Sequence, residues 1–271
     1  MHEVSMPSAQ KAESRPRRLT LDGIELDPLT LEDTVGHILA ESSRGRGGWV
    51  ITANLDHLCR AKRDAAYRTM LAEADLVVAD GMPLIWASRL RGKPLPERVA
   101  GSSMVEPLVK RMADSGRSVF LLGGNPGVAE EAGAFLIDKY QKLNVCGTLC
   151  PPMGFESDPD EMDRIRQALV DAHPDVVLVA LGSPKQERLI REVRGLLPSA
   201  WWLGVGISLS FLAGEVSRAP SWMQKLGLEW CHRLWQEPGR LAKRYLVYGL
   251  PFAMRLLVGS AWIGLVGRGR G

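Results

Sequence analysis

The chain has 271 residues, with 45% apolar and 24% charged side chains and a net charge of +3. That length can bury a sizeable core, which excludes a small disulfide-stapled module and predicts one domain, or one domain with an appendage. The charge balance is ordinary for a globular protein, and no nucleic-acid partner is expected.

Residues 1–18 are polar and basic without an apolar run, so a secretory signal is not expected and a disordered tail is. Cys59, Cys146, Cys150 and Cys231 form no C-x-x-C pair. Reduced thiols are expected, and no second pair of soft ligands accompanies Cys146 and Cys150 for a metal. Leu19–Leu26 predicts a hairpin turning at Asp22-Gly23. Thr30 with Asp33 resembles a capping box and predicts a helix over Leu31–Ser42. Trp49–Thr52 reads as a buried strand, followed by one helix over Asp56–Ala74. Leu76–Ala79 is a second strand, and Pro83 opens a helix to Leu90.

The alternation then repeats. Strands are predicted at Ser118–Leu122, Asn144–Leu149, Val176–Leu181 and Ala200–Val205. Helices are predicted at Val128–Tyr140, Asp160–Ala172 and from Pro184 to Arg194. Apolar strands alternating with helices predict a parallel α/β sheet with helices on both faces. After Gly214 the strand patterns stop. Trp222, Leu226, Trp230 and Leu234 recur every fourth residue, as one helical stripe would. Tyr245–Val266 is largely apolar but carries Pro251 and Arg255. Its longest uninterrupted apolar part is short for a bilayer span of about 20 residues. The chain therefore divides into a tail (1–18), an α/β core (19–214) and a helical appendage (215–271).

In parallel sheets, ligands sit at the carboxyl ends of the strands. Here the first two parallel strands end in Thr52 and Asn54, and in Asp80-Gly81. A carboxylate at Asp80 can act as a general base; the competing role is an N-cap for the next helix. His57 is a weaker candidate base. Gly123-Gly124 permits close backbone approach to an anion, or makes a tight turn. Lys185 stands with Gln186 and Glu187 in the first turn of a helix, where a lysine opposes the dipole unless an anion is near. An exposed turn is the alternative for that stretch. No D-x-D pair suited to a metal-bound diphosphate is seen, no metal is expected, and no cofactor is indicated.

Taken together, several motifs resemble the WecG/TagA/CpsF glycosyltransferases (glycosyltransferase family 26). They include Thr52-x-Asn54-x-Asp56-His57, Ala74-Asp-Leu-Val-Val-Ala-Asp80-Gly81, Pro96-Glu-Arg98-Val-x-Gly101, Phe120-Leu-Leu-Gly-Gly124 and Gly182-x-Pro-Lys-Gln-Glu187. Gly204-Val-Gly206, Phe211-x-Ala-Gly214, Arg218-Ala-Pro-x-Trp222 and Gly227-Leu-Glu-Trp230-x-x-Arg233-Leu-x-x-Glu237-Pro238 complete the set. The resemblance covers about residues 19–248. It implies a Rossmann-like core with a membrane-associating helical appendage. The implied reaction is inverting transfer from a UDP-sugar to a sugar on undecaprenyl diphosphate, in bacterial surface-polysaccharide or exopolysaccharide synthesis. Relatives use N-acetylmannosamine, its uronic acid, or glucose.

The resemblance also implies residue roles. Asp80 is the base, and Thr52, Asn54, Arg98 and Gln186 line the pocket. Arg233, Arg240 and Lys243 meet the lipid diphosphate, with lysine at 243 where arginine is usual. The implied location is the cytoplasmic face of the plasma membrane, and a homo-oligomer that orders the appendage is compatible. Arg268 and Arg270 would favour anionic lipid. Two departures stand out, Ser103 and Ser210, where the family usually carries Asp. Their loss makes a non-catalytic nucleotide-sugar-binding or scaffold subunit conceivable, but retention of Asp80, Arg98 and Gln186 together argues for the enzyme. A nucleotide-dependent dehydrogenase would need a G-x-G-x-x-G after a strand, and none is found.

Overall fold

The computed structural model describes residues 17–268, apart from the side chains of Lys225, Arg240 and Arg268. Residues 1–16 of the expected tail, and Arg270, lie outside that range. Arg18 is already anchored, with Nε donating to Asp27 at 2.8 Å and Nη2 to the Asp75 carbonyl at 2.9 Å.

A hairpin comes first, β1 (Leu19–Leu21) and β2 (Ile24–Leu26), turning at Asp22-Gly23 with φ of 46° and 85°. Helix α1 (Leu31–Ser43) carries the full capping box of Thr30 and Asp33. Strand β3 (Gly48–Ala53) leads into α2 (Leu55–Arg63) and α3 (Ala65–Ala72), and β4 (Leu76–Ala79) into α4 (Met82–Leu90). The single helix expected over 56–74 is thus two. Asp64 adopts extended backbone, ends α2, and accepts a hydrogen bond from the Tyr67 amide to cap α3. Helix α5 (Gly101–Ser115) was not anticipated. Its Gly-Ser-Ser start and internal Pro107 masked an apolar face of Met104, Val105, Leu108, Val109 and Met112.

The remaining core follows the expected alternation. It comprises β5 (Ser118–Gly123), α6 (Val128–Lys139), β6 (Asn144–Leu149), α7 (Pro159–Ala172), β7 (Val176–Ala180), α8 (Lys185–Val193), β8 (Trp201–Gly204) and the short α9 (Ser208–Leu212). Six strands pair in parallel in the order β4-β3-β8-β7-β5-β6. Side chains alternate across the sheet with period two. Val177 and Val179 of β7 face one core with α2, α3, α4, α7 and α8, while Val176 and Leu178 face the other with α1, α5, α6 and α9. The β4 edge does not stay open. Asp27 pairs with Val77 through both its amide and its carboxylate, covering groups that would otherwise template another strand.

The C-terminal region departs most from expectation. Trp222 to Leu234 do not form one stripe. Helix α10 (Ser221–Leu226) stops at Gly227, which takes φ 74°, and α11 (Glu229–Gln236) starts afresh. A Cβ at position 227 would stand 2.1 Å from Met82 Cγ, so the close approach of α4 also demands glycine there. Then come α12 (Pro238–Ala242), a π-helical turn (Lys243–Gly249) and α13 (Leu250–Arg268). Pro251 does not end this run: it directly follows the π-helical turn, where the Leu250 amide donates to the Tyr245 carbonyl five residues back, and such a turn accommodates a residue without an N–H. The helix from Lys243 to Gly267 is long and apolar enough to cross a membrane, by length and composition.

One face of α13 is nonetheless packed on the protein. Phe252 and Leu256 join the core that holds the hairpin and α4. Arg91 Nε donates to the buried Ser260 hydroxyl at 3.1 Å, and Arg255 pairs with Asp22. At Gly264 the backbones nearly touch, since a Cβ would lie 2.0 Å from the Leu90 carbonyl oxygen.

Candidate functional site

The parallel register sets Ala53 beside Ala79, so the two strands end together. The Asp80 amide donates to the Ala53 carbonyl at 2.7 Å, and the Val99 amide to the Ala79 carbonyl at 2.8 Å. The second contact lays the segment carrying Arg98 along β4. Thr52 is buried at the end of β3, close to Gly101, the first residue of α5; a Cβ there would lie 3.2 Å from the Thr52 hydroxyl. Asp80 is not the N-cap of α4. Gly81 occupies that position with φ 141° and no side-chain cap, which leaves the Asp80 carboxylate available for other work.

Arg98 Nη1 stands 3.9 Å from the Asp80 carboxylate and 3.1 Å from Glu229 of α11. Burial pushes the Asp80 carboxyl up to about 6. The Arg98 guanidinium, the neighbouring His57 and the Gly101 amide oppose the rise, while the Glu229 charge adds to it. A strand-end carboxyl held near 6 is largely ionised at neutral pH, yet basic enough to accept a proton in catalysis.

Beneath Asp80 lies a buried polar chain. Asn54 caps α2, accepting from the Asp56 and His57 amides and lying 2.9 Å from His57 Nδ1. The other ring nitrogen, Nε2, is 3.3 Å from Glu187 Oε1, and Gln186 Nε2 donates to that same oxygen at 2.9 Å. The Gln186 carbonyl accepts from the Gly206 amide at the end of β8. Burial disfavours a charge on Glu187, but its contacts with His57, Gln186 and Ser183 outweigh it and hold the carboxyl below its usual range. His57 is therefore a structural partner of Glu187.

Thr52, Asn54, Asp80, Arg98, Gln186 and Glu187 thus gather at the ends of β3, β4, β7 and β8. Other expected residues are placed differently. Gly123 and Gly124 end β5, with φ of 106° and 88°; side chains there would strike Ala180 and Val128. Their packing accounts for glycine without a ligand. Lys185 pairs with Glu156 at 2.7 Å, so a carboxylate of the chain itself supplies the anion its helix position called for. Arg233 lies half-buried on α11, one turn beyond Glu229, and Lys243 is exposed at the start of the π-helical turn. The Arg240 side chain lies outside the described residues.

Three residues that matter at this crevice were given no role on sequence grounds. Glu229 reaches Arg98 from the C-terminal region. Arg218 donates to the Ser102 and Ser103 hydroxyls at 3.1 and 2.7 Å and stands 3.7 Å from Glu229. Arg244 Nη2 bonds Asp56 at 3.0 Å, tying the π-helical turn to the start of α2. An acid, Glu229, beside Trp230, Arg233 and Trp235 was the available signal. Ser103 lies where an aspartate was anticipated, and its hydroxyl keeps a hydrogen bond to Arg218 but not an ion pair.

Compared with known families, residues 19–263 match the model of the glycosyl transferase WecG/TagA/CpsF family.

Proposed function

The chain belongs to the WecG/TagA/CpsF family of glycosyltransferases, and we propose that it moves a sugar from a UDP-sugar to an undecaprenyl-diphosphate-linked sugar at the inner face of the plasma membrane. The product would feed bacterial surface-polysaccharide or exopolysaccharide synthesis, and the donor sugar is of the N-acetylmannosamine type or glucose. The observation that carries the catalytic reading is Asp80, a strand-end carboxyl pushed up to about 6 and free of any capping duty.

In this mechanism the acceptor hydroxyl loses its proton to Asp80 as its oxygen attacks the anomeric carbon of the donor. The new C–O bond forms on the face opposite the breaking bond to phosphate, and UDP leaves with the electron pair. Arg98 stands beside Asp80, where it can meet a phosphate or a sugar hydroxyl. Gln186 and Asn54 are fixed by the buried chain that fills the floor. Arg233, Arg240 and Lys243 supply cations on the C-terminal side, which we treat as an appendage over residues 215–271. These would hold the lipid diphosphate. Packing of α13 along α4 and the hairpin supports a helix lying at the membrane surface better than one crossing it.

The test is transfer by the full chain from a panel of UDP-sugars to a lipid-diphosphate acceptor, with retention or inversion read by NMR. Turnover is expected with an N-acetylmannosamine-type donor or glucose, with inversion. Turnover is also expected to persist in EDTA, because arginine, lysine and backbone amides would neutralise the diphosphates. Among the described residues no three His, Cys, Asp or Glu side chains converge as metal ligands would. Loss of turnover in EDTA, restored by Mg²⁺ or Mn²⁺, would contradict that expectation. A chain that binds the UDP-sugar but never transfers it would instead be a scaffold subunit.

A second prediction concerns the floor. A Cβ at Gly204 would lie 2.5 Å from the Gln186 amide nitrogen. Gly204→Ala should push Gln186 off Glu187 and Gly206, lowering turnover by roughly 10²-fold, as displacement of a positioned group does. The melting temperature should also fall, since overpacking costs roughly 1–3 kcal/mol. Parental turnover in this variant would remove Gln186 from the machinery.

A further inference from the structure

Arg98 has two carboxylates within reach and is not shared equally between them. Its Nη1 lies at hydrogen-bond distance from Glu229, 3.1 Å, and only at ion-pair distance from Asp80, 3.9 Å. All three side chains are largely sheltered, with exposures of 17% for Arg98, 14% for Glu229 and 26% for Asp80. In such surroundings a guanidinium takes the closest carboxylate geometry open to it, because charge-assisted bonds strengthen as water is removed. Glu229 takes that geometry here. It is itself held from the far side, with Arg218 Nε 3.7 Å from its other oxygen. Arg218 is fixed in turn by the Ser102 and Ser103 hydroxyls.

We propose that Glu229 is a positioning residue for the transfer reaction: it draws Arg98 off Asp80 and so leaves the Asp80 carboxylate free to take the acceptor's proton. This rests on the base assignment made above. Were Glu229 uncharged, Arg98 would have one carboxylate left, and its short, hydrogen-bonded approach to Asp80 would be unopposed. A base clamped by arginine in that way is a poor base. Among the described residues, the groups that act most on Asp80 are Arg98 from the loop before α5, Glu229 from α11, His57 from α2 and the Gly101 amide from α5. Only Glu229 among them adds negative charge, and it comes from the C-terminal region.

The experiment is a carboxyl-carbon NMR titration of the full chain labelled at aspartate, with the Asp80 signal identified by its loss in Asp80→Asn. In Glu229→Gln the Asp80 midpoint should fall by about 1–2 pH units. Lost repulsion and a closer arginine act in the same direction, and an adjacent arginine alone lowers an aspartate by that order. Glu229→Asp keeps the charge and should leave the midpoint near the parental value. If the Gln variant does not fold, Glu229→Met, uncharged and of similar length, replaces it. An unmoved or raised midpoint in the uncharged variant overturns the proposal, as does an equal fall in Glu229→Asp. The titration needs no turnover, so it decides the role of Glu229 separately from the proposed reaction. Where turnover is measured, the acid limb of kcat/KM should move to lower pH with the Asp80 midpoint while kcat falls, and KM for the donor should change little.

Discussion

Asp80→Asn is expected to lower turnover by roughly 10²–10⁴-fold, the usual effect of removing a general base, and to raise the melting temperature. The two outcomes share one cause. The folded chain pushes the Asp80 carboxyl from an ordinary 3.8 up to about 6. A raised carboxyl means that folding favours the neutral form. The stability this carries is full below the unfolded value near 3.8 and is lost as pH climbs through about 6, so at pH 7 the ionised carboxylate is a burden on the fold. The full shift would amount to about 3 kcal/mol. Asp80 remains 26% exposed, which reduces it to roughly 1–3 kcal/mol. Asparagine keeps the shape without the charge, so a melting temperature higher by a few degrees is expected at pH 7, with little difference near pH 4. A residue that costs stability and gains activity is what a catalytic base should be. A variant with near-parental turnover would remove Asp80 from the base role. One that is inactive but also less stable at pH 7 would make the residue structural.

The parts of the molecule that could be read from the chain are those whose cause is local. Val176 to Ala180 spells a strand buried on both faces because every position is apolar. Asp80 and Asn54 could be found because a polar residue that abruptly ends an apolar strand marks the rim of the sheet, where ligands bind. Helix α5 could not, since Pro107 and a glycine-serine start speak against a helix locally, and only packing on the sheet reveals the apolar face. The breaks at Asp64 and Gly227 come from a side-chain cap and from the approach of Met82, neither of which a hydrophobic period records. Glu229 was least legible of all. Its partner Arg98 is 131 residues away, and nothing in either neighbourhood announces the other.

Replacing Met254, Val258 and Trp262 together with glutamate is expected to abolish co-sedimentation with anionic vesicles. These residues follow one another at every fourth position along α13 and are 61%, 70% and 70% exposed. Phe252, Leu256, Ser260 and Gly264 run at the same spacing, displaced by two residues, which sets them about 200° around the helix axis. That second row is the one against the protein: Phe252 and Leu256 in the core, Ser260 bonded to Arg91, Gly264 against Leu90. The first row is left facing outward with Leu250 and Leu265, an apolar surface that water penalises and a lipid interface would accept. Burying each such side chain gains about 2 kcal/mol, so losing three should weaken membrane binding by well over 10²-fold. Because the packed row is untouched, the variant should fold and melt as the parent does. It should transfer to a short-chain, water-soluble acceptor at the parental rate and fail only with acceptor embedded in vesicles. Vesicle binding that survives the three substitutions would refute the membrane assignment of this face. If they instead split an oligomer while vesicle binding persists, the outward row belongs to a contact between copies of the chain.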